Sequence, residues 1–270
     1  MIRQKMDNTI YVGIRGHRGS GRPTVSYLLA HTIDYLIEKG DFGDDFDVCF
    51  DKFVSNILTY HNDFILRTNL NSVYLESFSD VPRLMCSMIL NIDSDTMYNE
   101  YAKDNLLINI DDLTMVDRCE IDCVVNTITA EELFQLKMKH IRSKANDYHC
   151  DCYITLREFC TYYSVYCMQT MMCNDLWIHT LDNSMYVRDD VRVKIFYDVK
   201  TPKEVDYILD NGGIIVCANR PKRKKRDTSV SNMLKDDNRI DFNVTIDGDD
   251  MKSCKTELMN LAKTILNIKR

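Results

Sequence analysis

Apolar and polar positions change period twice within the first forty residues. Thr9–Ile14 (TIYVGI) is a short β-prone apolar run, the pattern of a strand covered on both faces. A stretch rich in Gly and Arg follows. From Thr24 to Lys39 the apolar residues Val25, Leu28, Leu29, Ile33, Leu36 and Ile37 fall on one helical face, and Gly40 is placed to end the helix. The last third is equally regular. Val193–Val199 predicts a strand. Thr201-Pro202-Lys203-Glu204 predicts a helix start, with Thr as cap, Pro in the first turn and Glu three residues after the cap. Asn211-Gly212-Gly213 ends that helix, and Ile214–Asn219 and Phe242–Ile246 read as further strands. Leu258, Leu261, Ala262, Ile265 and Leu266 line one face of a final helix. Strands alternating with helices imply right-handed crossovers and a mostly parallel sheet covered on both faces, an α/β fold.

The middle of the chain carries a weaker pattern. The acidic stretch DFGDDFD leads into VCFDKFVSNIL, read as a second strand running into a helix. Thr129–Lys144 predicts a helix in which Thr129 and Glu132 have capping-box spacing, and Leu156–Met172 predicts a buried or half-buried helix.

Composition narrows the classes. The chain has 270 residues, 45% of them hydrophobic and 28% charged, enough to bury a core and too apolar for wholesale disorder. The formal charge of −7 gives no global pull toward nucleic acid or anionic lipid. No apolar run approaches the roughly 20 residues that cross a bilayer, and no signal-peptide core precedes the first strand, so a cytoplasmic location, including a host cytoplasm or a virion, is expected. Eleven cysteines, an odd number without an export signal, predict reduced thiols. Cys119, Cys123, His149, Cys150 and Cys152 contain potential zinc ligands, but their spacing fits no common finger, and small core thiols are the alternative. Abundant Asp, Asn, Ile, Lys, Tyr, Cys and Met point to an AT-rich genome of the kind many viruses have.

The candidate chemistry centres on GHRGSGRPT, Gly16 to Thr24. Gly16 and Gly21 have the spacing of a P-loop, whose backbone N–H groups wrap phosphate at a helix N-terminus. Gly19, Ser20, Arg22 and Thr24 complete the candidate cofactor-binding set, with Thr24 offering a hydroxyl to Mg²⁺. Arg22 stands where such loops carry Lys; it keeps the charge but is longer, planar and forked. Pro23 removes one N–H from the donor array while suiting the first helical turn. His17 can touch a phosphate but is too isolated for a general base.

The order of further motifs carries a resemblance. Phe50-Asp51-Lys52, Thr155-Leu156-Arg157-Glu158-Phe159, Asp175-Leu176-Trp177-Ile178, Asp198-Val199-Lys200 before the Thr201 cap, Arg220-Pro221 and Asp227-Thr228-Ser229-Val230-Ser231-Asn232 follow one another with set spacing. In this the chain resembles the phage-type deoxynucleoside monophosphate kinases, P-loop kinases similar to phosphomevalonate kinase, over most of its length outside residues 56–152. The resemblance implies a P-loop kinase-like core over residues 1–55 and 152–270, a mainly helical insertion on the substrate side over 56–151, and a basic lid-like loop over 220–239. It implies Arg22, Asp198 and Lys200 as catalytic residues, Arg220 and Arg223 as lid contacts to ATP, Asp51, Lys52, Arg157, Gln169 and Trp177 as substrate-binding residues, and Thr24, with Asp198 acting through water, as holders of Mg²⁺.

The departures from that family fall on its chemistry. The P-loop Lys is Arg22, the substrate-clamping Arg is Gln169, the Asp-Val-Arg arginine is Lys200, and the His and Glu after the basic loop are Ser229 and Asn232. Phosphoryl transfer depends on positioned positive charge, so these changes erode the catalytic part while the scaffold residues stay. Two functions follow. The favoured one is a catalytically weakened or inactive kinase-like protein kept for nucleotide or anion binding, or for a protein-interaction role. The other is an active kinase that moves the ATP γ-phosphoryl group to a deoxynucleoside monophosphate with Mg²⁺. The run from Arg220 to Arg226 can serve as a lid, contact a polyanion or an acidic partner, or simply face solvent. Its charge complements the acidic Asp41–Asp47 stretch, which makes a charge-driven homodimer a further expectation. Trp177 stacks on a base in one reading and fills a core in the other.

Overall fold

The computed structural model describes residues 9–17, 19–60, 70–109, 113–118, 127–143, 153–169, 175–183, 191–221, 234 and 237–267. In chain order the elements are β1 (Ile10–Arg15), α1 (Arg22–Lys39), α2 (Phe46–Tyr60), β2 (Val73–Glu76), α3 (Asp80–Leu90), α4 (Glu100–Asn105), β3 (Leu106–Asn109), β4 (Met115–Asp117), α5 (Ala130–Ser143), β5 (Tyr153–Thr155) and α6 (Leu156–Thr161). A π-helical stretch, Tyr162–Gln169, continues α6, and α7 (Leu176–Asn183), β6 (Val193–Phe196), α8 (Pro202–Asp210), β7 (Ile214–Asn219), β8 (Phe242–Thr245) and α9 (Lys255–Asn267) complete the chain. The chain divides into two compact units, Met1–Phe78 with Ser184–Arg270, and Ser79–Asn183. Residues 56–78, expected in the insertion, therefore belong with the sheet, while 152–183, expected in the core, belong to the second unit.

The first unit is an α/β layer structure around a five-stranded sheet of order β2-β6-β1-β7-β8, every neighbouring pair parallel. Alternation along β1 sorts its two faces. Val12 and Ile14 join Ile195, Val216 and Val244 in a core with residues of α1, α2 and α9. Tyr11 and Gly13 point the other way. Tyr11 stacks on Phe196 and meets Tyr207 of α8 edge-on. A Cβ on Gly13 would stand 2.5 Å from Ile208 Cδ1, so the isoleucine of α8 fills the space that a side chain here would take. Helices thus cover both faces, as strands with near-continuous apolar burial require.

Local signals set the helix ends. Gly40 adopts a left-handed conformation and its N–H closes on Leu36 O at 2.9 Å, ending α1. Thr201 and Glu204 form a full capping box at the start of α8. The expected strand at VCFDKF is instead part of α2. Phe46, Phe50 and Val54, four residues apart, are buried together in the core, and Tyr35, Phe42 and Phe46 form one aromatic cluster. The strand that flanks β6 is β2.

The second unit is not all helical. A three-stranded antiparallel sheet of order β4-β3-β5 packs Ile108 and Ile154 against Cys86, Leu90, Met97, Leu133, Leu156 and Phe159. The capping box at Thr129 is present, with Thr129 N donating to Glu132 Oε2 at 2.8 Å and Glu132 N to Thr129 Oγ1 at 3.2 Å. Among the described residues, no helix is long and apolar enough to cross a membrane.

Candidate functional site

The chain leaves β1 toward one edge of the sheet, through α1 and α2 to β2, and returns through β6 to the other edge, β7 and β8. The connections that follow β1 and β6 therefore leave in opposite directions at this end of the sheet. The turn Gly16–Gly21 sits there. Gly16, Gly19 and Gly21 have φ of 148°, 87° and 85°, conformations that side chains resist. Ser20 N donates to His17 O at 3.0 Å, and Val25 N to Gly21 O at 2.8 Å begins the helical ladder of α1.

No side chain among the described residues caps the N-terminus of α1, an 18-residue helix whose dipole favours negative charge at that end. Arg22 takes the first helical position and Pro23 the second, with Thr24 in the same turn. Among the described residues, two buried polar atoms of the turn, Ser20 Oγ and His17 Nδ1, have no hydrogen-bond partner. Ser20 as a whole is only 7% exposed. Buried polar atoms are paired in most folds, which sets these two apart.

The neighbouring strand ends add charge. Asp198 follows β6 and is 5% exposed; Val199 N donates to Ile14 O at 3.2 Å, which sets this corner against the end of β1. Phe78 N donates to Asp198 Oδ1 at 3.2 Å, and Lys200 Nζ to Asp198 Oδ2 at 2.9 Å. Two of the expected catalytic residues are thus an ion pair with each other. Lys200 N also donates to Glu204 Oε2 at 2.6 Å. Burial pushes the Glu204 carboxyl up to about 7, and the like charge of Asp198 adds to the rise.

Asp198 already accepts a backbone N–H on one oxygen and a cationic ammonium on the other, so direct coordination of Mg²⁺, which takes near-octahedral oxygen ligands, requires Lys200 to move. Among the described residues, no group of three or more His, Cys, Asp and Glu is placed to hold a metal ion.

Arg220, expected to close over phosphate, is tied elsewhere. Its Nε donates to Gly248 O and its Nη2 to Asp249 Oδ1 at 2.7 Å, and its side chain is 5% exposed. Asp51 and Lys52 lie on the exposed side of α2, where Asp51 pairs with Lys252 at 2.8 Å. Asp41 and Asp47 likewise pair within the chain, with Lys263 at 3.0 Å and with Lys255. Two carboxylates of the stretch expected to reach a second copy, Asp41 and Asp47, are thus paired within their own chain, and a third, Asp45, accepts from Tyr35 Oη. Arg157, Gln169 and Trp177 belong to the second unit. There Arg157 Nε pairs with Asp104 at 2.7 Å, Gln169 ends the π-helical stretch, and Trp177 is buried, donating its indole N–H to Ser164 O at 3.1 Å. Trp177 fills a core, the second of its two readings.

Arg223, the rest of the basic run and the potential zinc ligands Cys119, Cys123, His149, Cys150 and Cys152 lie outside the described residues. Six cysteines among the described residues are free thiols. Compared with models of known protein families and with curated proteins, the sequence matches none.

One residue of this corner has no counterpart in the sequence reading. Arg15, the last residue of β1, is 7% exposed and donates to Leu234 O at 2.5 Å and to Asp237 O at 2.8 Å. Asp237 accepts from Arg239, whose cation holds the Asp237 carboxyl below the usual carboxylate range, and Arg239 in turn pairs with Asp206 of α8. An arginine closing an apolar strand directly before a glycine turn is the signal that could have found this network.

Proposed function

We propose that this chain is a divergent P-loop kinase-like protein that binds phosphate-bearing ligands, a nucleotide or a simple phosphate anion, at Gly16–Thr24, with phosphoryl transfer weakened or lost. One observation carries the reading: a glycine turn at the carboxyl end of β1 feeds an uncapped helix and holds two buried polar atoms, Ser20 Oγ and His17 Nδ1, with no partner among the described residues. Backbone N–H groups and the dipole of α1 supply the attraction for phosphate. The loss of transfer is argued from the positions of positive charge. Arg220 is engaged with Gly248 and Asp249, so this cation is not held in readiness for a moving phosphoryl group, and the charge of Lys200 is partly neutralised by Asp198. The resemblance to deoxynucleoside monophosphate kinases supports the same scaffold.

The test is a coupled assay for ADP formation from ATP with each deoxynucleoside monophosphate, in the presence of Mg²⁺, run beside a thermal-shift titration with phosphate and ATP. Stabilisation by ligand without turnover is the expected result. Turnover abolished by Arg22→Ala establishes an active kinase instead, and no ligand effect on stability removes the binding role.

A further inference from the structure

We infer that Lys200 takes the place of a divalent cation at Asp198, so that phosphate-bearing ligands bind the Gly16–Thr24 turn without Mg²⁺. The inference rests on the reading of that turn as an anion site and adds what counter-charge the site uses. Lys200 is held at both ends: its backbone N–H by Glu204 Oε2 at 2.6 Å and its Nζ by Asp198 Oδ2 at 2.9 Å. Asp198 is fixed from its other oxygen by Phe78 N at 3.2 Å. The carboxylate side chain is 7% exposed and that of the lysine 25%, so the more accessible charge of the pair is the positive one. The hydrogen bond from Val199 N to Ile14 O keeps this pair beside the strand that enters the glycine turn.

A carboxylate near a phosphate site repels the ligand unless a cation lies between them, and in most such sites that cation is Mg²⁺. Here a covalently tethered ammonium covers the carboxylate. A dication arriving at Asp198 would meet a like charge within hydrogen-bond distance of the same oxygen and would have to displace it. An ammonium is also a compact charge with three donors, suited to lie between a carboxylate and an oxyanion.

Titration calorimetry of the full chain with inorganic diphosphate and with ATP, each in EDTA and in excess Mg²⁺, tests this. The expected result is affinity in EDTA within about threefold of that in Mg²⁺. Lys200→Met is expected to lose about tenfold or more in EDTA and to recover with Mg²⁺, while Lys200→Arg retains binding in EDTA. Wild-type binding that appears only with Mg²⁺ overturns the inference and leaves the anion site standing. So does Lys200→Met binding in EDTA as tightly as wild type. No binding of either ligand in any buffer removes the anion-site reading itself. Should Lys200→Met fail to fold, the wild-type comparison decides alone.

Discussion

Ser20 Oγ packs so closely against Gly16 that a Cβ built on the glycine would stand 2.4 Å from it, with Ala218 O at 2.6 Å on the other side. The carbonyl belongs to the adjacent strand and has nowhere to go. Gly19, by contrast, has open space around the same point, although its φ of 87° is equally left-handed. Gly16→Ala is therefore expected to cost about 2–4 kcal/mol through clash and backbone strain, and Gly19→Ala only about 1 kcal/mol through strain alone. Denaturant unfolding of the two variants side by side checks this, and equal costs would mean that the turn is not packed onto the end of β7.

Ser20 itself separates stability from binding. A buried hydroxyl with no partner among the described residues adds no hydrogen bond to the fold and carries a desolvation cost. Ser20→Ala is expected to leave stability unchanged or raise it by up to about 1 kcal/mol, while weakening phosphate binding by about tenfold. A loss of stability with binding intact would assign the hydroxyl to the scaffold.

Arg15 joins the end of β1 to a segment more than two hundred positions away, through carbonyls separated from it by 219 and 222 residues. Removing its guanidinium leaves those carbonyls without their donor and takes one cation away from Asp237, which keeps Arg239. Arg15→Met is expected to cost about 2–3 kcal/mol. Limited proteolysis should then cut faster near Leu234 and Asp237 than in the wild type; unchanged cutting would show that the segment is held by other contacts.

What was legible in the chain follows the range of the interactions involved. The Gly40 terminus, the capping boxes at Thr129 and Thr201, and the strands Ile10–Arg15 and Ile214–Asn219 all rest on residues within a few positions of one another. Phe46–Tyr60 was misread because Val48, Cys49 and Phe50 are individually β-prone, whereas the four-residue spacing of Phe46, Phe50 and Val54 gains its meaning from the core they share with α1. The boundary of the second unit and the Arg15 network were hidden for the same reason: their partners are distant in sequence. At the site, the glycines and their positive φ values could be anticipated from the turn. That Lys200 would pair with Asp198, and Arg220 with Gly248 and Asp249, could not, since residue type alone does not say which carboxylate or carbonyl a cation meets.

His31 offers a pH test of the core beside α1. Its ring stacks on Phe53 at 4.5 Å between centroids and meets Tyr27 edge-on at 4.3 Å, and its Nε2 is buried with no partner among the described residues. Burial lowers its pKa from 6.5 to about 4. Above 6.5 the imidazole is neutral in both folded and unfolded chains and contributes no pH dependence. As the pH falls from 6.5 toward 4 the unfolded chain takes up a proton that the folded chain refuses, so stability declines through that window, by on the order of 2 kcal/mol. His31→Phe keeps an aromatic ring in the stack, removes the unpartnered nitrogen and cannot be protonated. The variant should match or exceed the wild type at neutral pH, and its advantage should widen on acidification across the same window. Parallel stability profiles for the two proteins would mean that His31 is protonated in the folded chain as readily as in the unfolded one, and that the stack opens to water.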